Sequence, residues 1–370
     1  MKPQKMILCL IPNNICNLKC EYCYISQIPD FLKKDLPFKY NMEHIAKCLS
    51  KERLGGECLI NLTGEGETML QKDIVKLCRL LLEEGHYIEF VTNLTVTKVV
   101  NDFMKLPDDL LKHMEFKISF HYAELKKRKM LDKFFANVDK VQKSSASFTL
   151  ELMPNDEIED EIEDIIKLCY EKVGAKCQLT IGRADYLKTQ GILSKHSREE
   201  YEKIWSAFDS TMFDFKMQLL GVKRKEFCYA GAWTLYVNLY TGEAASCYGQ
   251  GYKQNIFEDI NKPIKFCPVG NHCTLPYCIN GHAHLSLGVI PELDTPTYAE
   301  IRNRVREDGT QWFSDEAYEF FNSKLSETNR EYTALEKKLS NAEWYVRLAS
   351  AAVKNPDKVV RRIRYKLSKK

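Results

Sequence analysis

The chain has 370 residues, of which 44% are hydrophobic and 28% charged, with a formal net charge of +3. That is the balance of a water-soluble chain long enough for one large domain and a smaller one. No run approaches the roughly 18 apolar residues of a membrane span, the start carries no usable signal core, and a charge so close to balance makes no case for nucleic acid. A cytoplasmic chain with fourteen cysteines points to metal ligation or free thiols rather than to disulfides.

In chain order, the apolar run 6–11 reads as a buried strand and leads into Cys16-Asn17-Leu18-Lys19-Cys20-Glu21-Tyr22-Cys23. A loop at the carboxyl end of a strand is where α/β proteins build their sites. A structural zinc site wants four ligands, and no further Cys or His comes before His44. Three thiolates on one loop suit a [4Fe–4S] cluster that leaves one iron open. After a helix expected over 42–50, strand and helix patterns alternate. Strand-like runs lie at 58–62, 87–91, 115–120, 147–152 and 176–181. Helical patterns, with apolar residues at i, i+3 and i+4, lie at 73–84, 96–104, 125–141 and 157–172. Six βα units imply a parallel sheet with right-handed crossovers. The pattern alone leaves a doubly wound sheet and an open barrel both standing.

The strand ends carry the candidate site residues. In Thr63-Gly64-Glu65-Gly66-Glu67-Thr68 the glycines allow close backbone approach, and a carboxylate can receive an ammonium. Asn93 follows the third strand, where a helix-capping role is the simplest reading. Ser119 and His121 end the fourth. Glu151 puts a charge inside an apolar strand, which requires a partner or a function. Ile181-Gly182 closes the sixth.

On these residues the chain resembles the radical S-adenosylmethionine (SAM) superfamily, whose motif is Cys-x3-Cys-x2-Cys with an aromatic, here Tyr22, before the last Cys. The resemblance implies an α/β fold, a partial (β/α)6 barrel. It implies a [4Fe–4S] cluster on Cys16, Cys20 and Cys23 whose open iron holds SAM. Gly64, Glu65, Gly66 and Glu67 stand in the place of the family's Gly-x-Gly-Glu-Pro around the SAM amino group, with Thr68 where Pro is usual. Asn93 matches a Thr-Asn-Gly in which Leu94 replaces the Gly. Ser119 is implied at the SAM ribose or carboxylate, Glu151 at the ribose or substrate, and Ile181 at the adenine.

The second half carries another cysteine set. Cys228, a short run at 234–239, the turn Tyr240-Thr241-Gly242-Glu243 and Cys247 read as a hairpin with its two cysteines close together. Cys267, Cys273 and Cys278 follow. Cys228, Gly242 and Cys247 fit the Cys-x(9–15)-Gly-x4-Cys opening of the SPASM/twitch branch of radical SAM enzymes. That resemblance implies a small twitch-type domain with a single auxiliary [4Fe–4S] cluster, held by Cys228, Cys247 and two of Cys267, Cys273 and Cys278. Zinc on four thiolates, or on three with His272, His282 or His284, is the alternative. Five thiols for four places leave one over. Cys278 is the candidate for a free hydrogen donor to a carbon radical, with a fourth-ligand role as the alternative. Cys9, Cys48, Cys58, Cys78, Cys169 and Cys177 lie on core patterns.

Residues 314–339 read as a long polar helix near heptad spacing, and 341–353 as a second amphipathic segment. The end, 354–370, is basic with interleaved apolar residues, the pattern of a membrane-surface segment. The expected domains are 1–190, 191–296 and a helical tail over 297–370. The resemblance implies reductive SAM cleavage and hydrogen abstraction from a substrate C–H, with an electron donor such as flavodoxin or ferredoxin. The tail is loosely similar to those of bacterial glycosyltransferases from surface-polysaccharide clusters. The expected reaction is therefore oxidation, dehydration or epimerisation of a sugar or glycan, in the cytoplasm or at the inner face of the membrane. A peptide-modifying maturase is the enzyme alternative, although no winged-helix peptide-binding domain is evident. A zinc- or cluster-bearing scaffold recruited to the membrane is the non-enzyme alternative.

Overall fold

A computed structural model describes residues 2–11, 13–27, 37–186 and 189–354. Six strands, β1 Met6–Ile11, β2 Leu59–Gly64, β3 Tyr87–Thr92, β4 Met114–Phe120, β5 Ser147–Leu152 and β6 Gln178–Leu179, pair parallel, each with the next. A doubly wound sheet reverses its strand order at a switch point. Here the order β6-β5-β4-β3-β2-β1 has no reversal, so the fold is the partial (β/α)6 barrel. The sixth strand is two residues long, far shorter than the run expected at 176–181.

The sheet does not stop at β1. The second-half hairpin supplies β7 Thr234–Asn238, β8 Glu243–Cys247 and β9 Gln250–Asn255. β7 lies parallel to β1 with Met6 opposite Thr234, and β8 and β9 continue antiparallel. The strand that feeds the first thiol loop is thus hydrogen-bonded directly to the hairpin that carries Cys247. Buried β1 residues such as Ile7 and Cys9 share one apolar core with Leu235, Val237 and Ala244. This continuity is why residues 228–255 sit beside the barrel mouth.

Two helix expectations fail for identifiable reasons. The helix expected at 125–141 is two, Tyr122–Lys127 and Leu131–Gln142, divided at Lys129, which takes a left-handed φ of 55°. The single helix expected at 314–339 is Asp315–Phe321, a 3-10 turn Leu325–Glu327, and the start of a helix over Ala334–Lys354. The break is tied to the opposite end of the chain. The Thr328 hydroxyl donates to the Pro3 carbonyl at 2.6 Å, and the Asn329 amide donates to the Gln4 carbonyl at 2.7 Å. Phe321 and Leu325 are core residues, while Leu335 and Leu339 are exposed, so the apparent heptad joins two unrelated faces. No described helix is long and apolar enough to cross a membrane. The basic residues expected to contact lipid, 355–370, lie outside the described residues.

Candidate active site

The first thiol loop is folded against the Gly64–Glu67 turn through backbone pairing. The amide N–H groups of Glu65, Gly66 and Glu67 donate to the carbonyls of Ile11, Asn13 and Ile15 at 3.1, 2.8 and 3.0 Å. A Cβ on Gly66 would lie 2.2 Å from the Ile15 carbonyl oxygen. The close approach that glycine permits here is therefore to the cysteine loop itself. Thr68, in place of a proline, fixes the turn by another route: its hydroxyl accepts the Gly64 N–H at 2.9 Å.

Glu67, read from the sequence as the ammonium acceptor, is 3% exposed and turns both oxygens to the protein. It accepts from Met69 N–H at 2.9 Å, from the Thr92 hydroxyl, and from Asn93 N–H at 2.8 Å. It braces the β2 turn to the end of β3. Asn93 sits between the two, with its amide 3.8 Å from the Cys16 sulfur and 3.0 Å from the Asn17 side chain. Leu94 takes the left-handed φ of 52° at the position where the family motif has glycine, so the backbone shape is kept without the residue. Tyr22 shares a 2.7 Å hydrogen bond with His121 Nδ1. Burial holds His121 neutral, with its pKa lowered to about 4.

Cys16, Cys20 and Cys23 fit a cluster. Burial first, then Glu67 and Cys23, push Cys16 up to about 11, and burial followed by Cys16 and Cys23 pushes Cys20 to about 12. Burial likewise raises Cys23. A shared cation would relieve the cost of ionising these thiols.

The barrel interior is polar, and the sequence reading missed most of it. Glu89, Glu115, Lys117 and Glu151 point inward from β3, β4 and β5. Arg302, on the helix Tyr298–Arg302, reaches them from a segment expected to lie outside the site. It is fully buried, 2.7 Å from Glu151 and 3.2 Å from Glu89. Lys117 stands 3.4 Å from Glu151. Burial, chiefly, raises Glu115 to about 7, while Arg302 opposes the shift. Glu151, expected at the SAM ribose or the substrate, has Arg302 as its partner. Ser119 lies beside it in register on β4. An inward charge on alternate strand positions was the available signal.

The second thiol set is assembled from four segments. Cys228 is tied to the 267–273 segment by paired backbone bonds with Gly270 at 3.1 and 3.0 Å. Cys247 ends β8. The Gln250 amide reaches the Cys273 sulfur at 3.8 Å. Cys228, Cys247 and Cys273 all act on Cys278, and burial drives Cys228 and Cys247 up to about 12. Cys267 faces elsewhere, toward Lys265 and Tyr332, while its carbonyl accepts the Ser246 hydroxyl at 2.7 Å. Cys273 thus acts on Cys228, Cys247 and Cys278 alike, whereas Cys267 acts on Lys265 and Tyr332.

Tetrahedral zinc at a Zn–S distance of about 2.3 Å sets its sulfurs about 3.8 Å apart. Among the described residues, the one set of three or more metal-ligating atoms all within 4.8 Å is Asp156, Glu159 and His196. Neither thiol set is drawn in that tightly. That acidic trio is closed on itself, with Lys195 3.3 Å and His196 2.7 Å from Glu159. Two of the three imidazoles weighed as zinc ligands are placed otherwise: His272 stacks on Trp344 at 4.1 Å, and His282 lines the central cavity.

That cavity, about 380 Å³, is lined by Cys23 from the first thiol set and Cys278 from the second. Glu89, Lys117, Arg183, Asp185, Lys216 and His282 bring charged and polar groups to it, beside apolar residues such as Leu8, Val91 and Ile181.

Residues 10–169 match the model of the radical SAM superfamily. No curated protein matches the sequence. Among solved structures, Streptococcus suis SuiB bound to S-adenosylmethionine is similar with a TM-score of 0.49 and 15% identity, covering 70% of this chain and 64% of SuiB. A histidine-tagged anSMEcpe with bound AdoMet is similar with a TM-score of 0.46 and 18% identity, covering 69% and 76%. Archaeal TYW1 has a TM-score of 0.34 and 14% identity, covering 54% and 71%. The chain spans less than two thirds of the length of SuiB.

Proposed function

We propose that this chain, whose residues 10–169 match the radical SAM superfamily model, cleaves SAM reductively and removes a hydrogen atom from a substrate held between its two thiol sets. One observation carries the reading: Cys23 and Cys278 line the same cavity. When bound, the cluster and SAM would supply the electron and the hydrogen-abstracting radical. The chain supplies position and shielding. Cys16, Cys20 and Cys23 hold the first cluster on a loop that Gly66 and Glu67 brace. Asn93 donates toward the Cys16 sulfur, and Tyr22 with neutral His121 walls the site. Ser119 and Ile181 flank the SAM region.

Cys228, Cys247, Cys273 and Cys278 would hold a single auxiliary cluster, with Cys267 idle. Cys278 then serves as a ligand rather than as a free hydrogen donor. The barrel over 1–190, the auxiliary unit over 191–296 and the tail over 297–370 are the working division. The substrate we favour is a sugar or glycan, in keeping with the charged and polar side chains that reach into the cavity. Leu335, Leu339, Val346 and Val353 are exposed on the helix Ala334–Lys354, and the basic stretch 355–370 follows directly. Both features favour contact with an anionic membrane surface.

The test is an anaerobic assay of the iron- and sulfide-reconstituted protein with dithionite and SAM. Formation of 5′-deoxyadenosine is expected, with stimulation by one member of a panel of nucleotide-linked sugars and lipid-linked glycans. Reconstituted protein that binds iron but forms no 5′-deoxyadenosine would sink the reading.

A further inference from the structure

The charges around the cavity do not balance locally. Lys117 and Arg302 face Glu89 and Glu151, and Arg183 stands 3.6 Å from Asp185. Lys216, on the helix Thr211–Leu219, also lines the cavity. Its ammonium donates to the Thr180 hydroxyl, and among the described residues no carboxylate lies within ion-pairing distance of it. The carboxylate that acts on it most is that of Glu151, already engaged by Arg302 at 2.7 Å and Lys117 at 3.4 Å. Beside it, His282 Nδ1 is buried with no hydrogen-bond partner. Burial, followed by the fields of Lys216, Lys117, Arg302 and Arg183, keeps that imidazole neutral, so it retains one N–H to donate.

A half-buried lysine without a counter-charge at ion-pairing distance is costly. Its pKa is accordingly lowered, chiefly by burial. A ligand oxyanion would relieve that cost while taking hydrogen bonds from a lysine, a guanidinium and an imidazole. Arg183 lies near the first thiol loop, its carbonyl accepting from the Gln27 amide at 3.1 Å, while Lys216 reaches in from the other side. Leu219, one helical turn after Lys216, packs in a cluster with Cys278 and Cys228, and a Cβ on Gly281 would strike its side chain at 2.4 Å. The unpaired cation therefore belongs to the auxiliary-thiol side of the cavity.

We propose that Lys216, Arg183 and His282 form an oxyanion subsite that holds a phosphate or carboxylate group of the substrate. It rests on the reading that substrate occupies this cavity, and it narrows the substrate to an anionic one. The same chemistry has a second source, the carboxylate of SAM, and the experiment separates the two.

Inorganic phosphate and, separately, acetate are titrated into full-length reconstituted protein with SAM, without reductant, by calorimetry. Lys216→Met, Lys216→Arg and His282→Gln are compared with wild type, and SAM affinity is measured for each. Saturable binding of either anion is expected, weakened at least about tenfold in Lys216→Met, about threefold in His282→Gln, and restored to within about threefold in Lys216→Arg. Anion affinity equal in Lys216→Met and wild type would overturn the subsite. So would a tenfold loss of SAM affinity in Lys216→Met with no anion binding by wild type, which assigns the lysine to the SAM carboxylate. Failure of wild type to cleave SAM instead sinks the function above and leaves the anion titration interpretable, so the two failures are distinct.

Discussion

The two thiol sets solve one problem in opposite ways. Cys16, Cys20 and Cys23 lie within eight residues of one loop, and their geometry is local. Cys228, Cys247, Cys273 and Cys278 come from segments up to fifty residues apart and meet only because β7 pairs with β1 and the 267–273 segment pairs with Cys228. A local site is written in spacing, whereas an assembled site is written in sheet register and backbone pairing. The second kind fails when a distant contact fails, and its spare cysteine is invisible to spacing alone.

The comparison breaks most sharply at the first set. Replacing Cys16, Cys20 and Cys23 together by Ala should abolish 5′-deoxyadenosine formation, because no other described group offers that open-iron site. Retained SAM cleavage would remove the radical SAM chemistry from this loop. Next in size is the contrast inside the second set. Cys273→Ala should lose the auxiliary cluster, seen as loss of about half the protein iron, whereas Cys267→Ala should keep it. Equal iron loss in both variants would mean that Cys267 exchanges into the ligand set.

A third prediction concerns the barrel floor, also assembled from distant residues. Arg302→Met strands Glu89 and Glu151 without their buried partner, at a cost of about 3–5 kcal/mol by denaturant unfolding. A loss under about 1 kcal/mol would mean that Lys117 alone satisfies both carboxylates. The smallest effect belongs to the tail. Removing 355–370 should reduce salt-sensitive co-sedimentation with anionic vesicles while SAM cleavage continues. Equal sedimentation by the truncated and full-length proteins would remove the membrane reading.

What the sequence made legible follows the same division. The cysteine loop, the six barrel strands to within two residues at either end, and the hairpin at 234–247 all follow from local pattern. Lys117 and Lys216 were passed over because a lysine on a strand or helix normally reads as surface. Their inward direction depends on where a barrel closes. Arg302 was passed over because it lies outside the strand order, in a stretch that looked like a tail. The break at 322–333 is set by hydrogen bonds to residues 3 and 4, a partner that no window of the sequence contains. Glu67 was found by motif, but its oxygens turned to Met69, Thr92 and Asn93, which only the fold could reveal.

The central claim is that two clusters open on one cavity, and metal analysis of the Cys16/Cys20/Cys23→Ala variant tests it most directly. After anaerobic reconstitution, this variant should keep about four irons and four acid-labile sulfides per chain, with no zinc, and stay brown. A colourless variant holding one zinc and no sulfide would contradict the account, because the second thiol set would then be a structural metal site with no part in electron transfer.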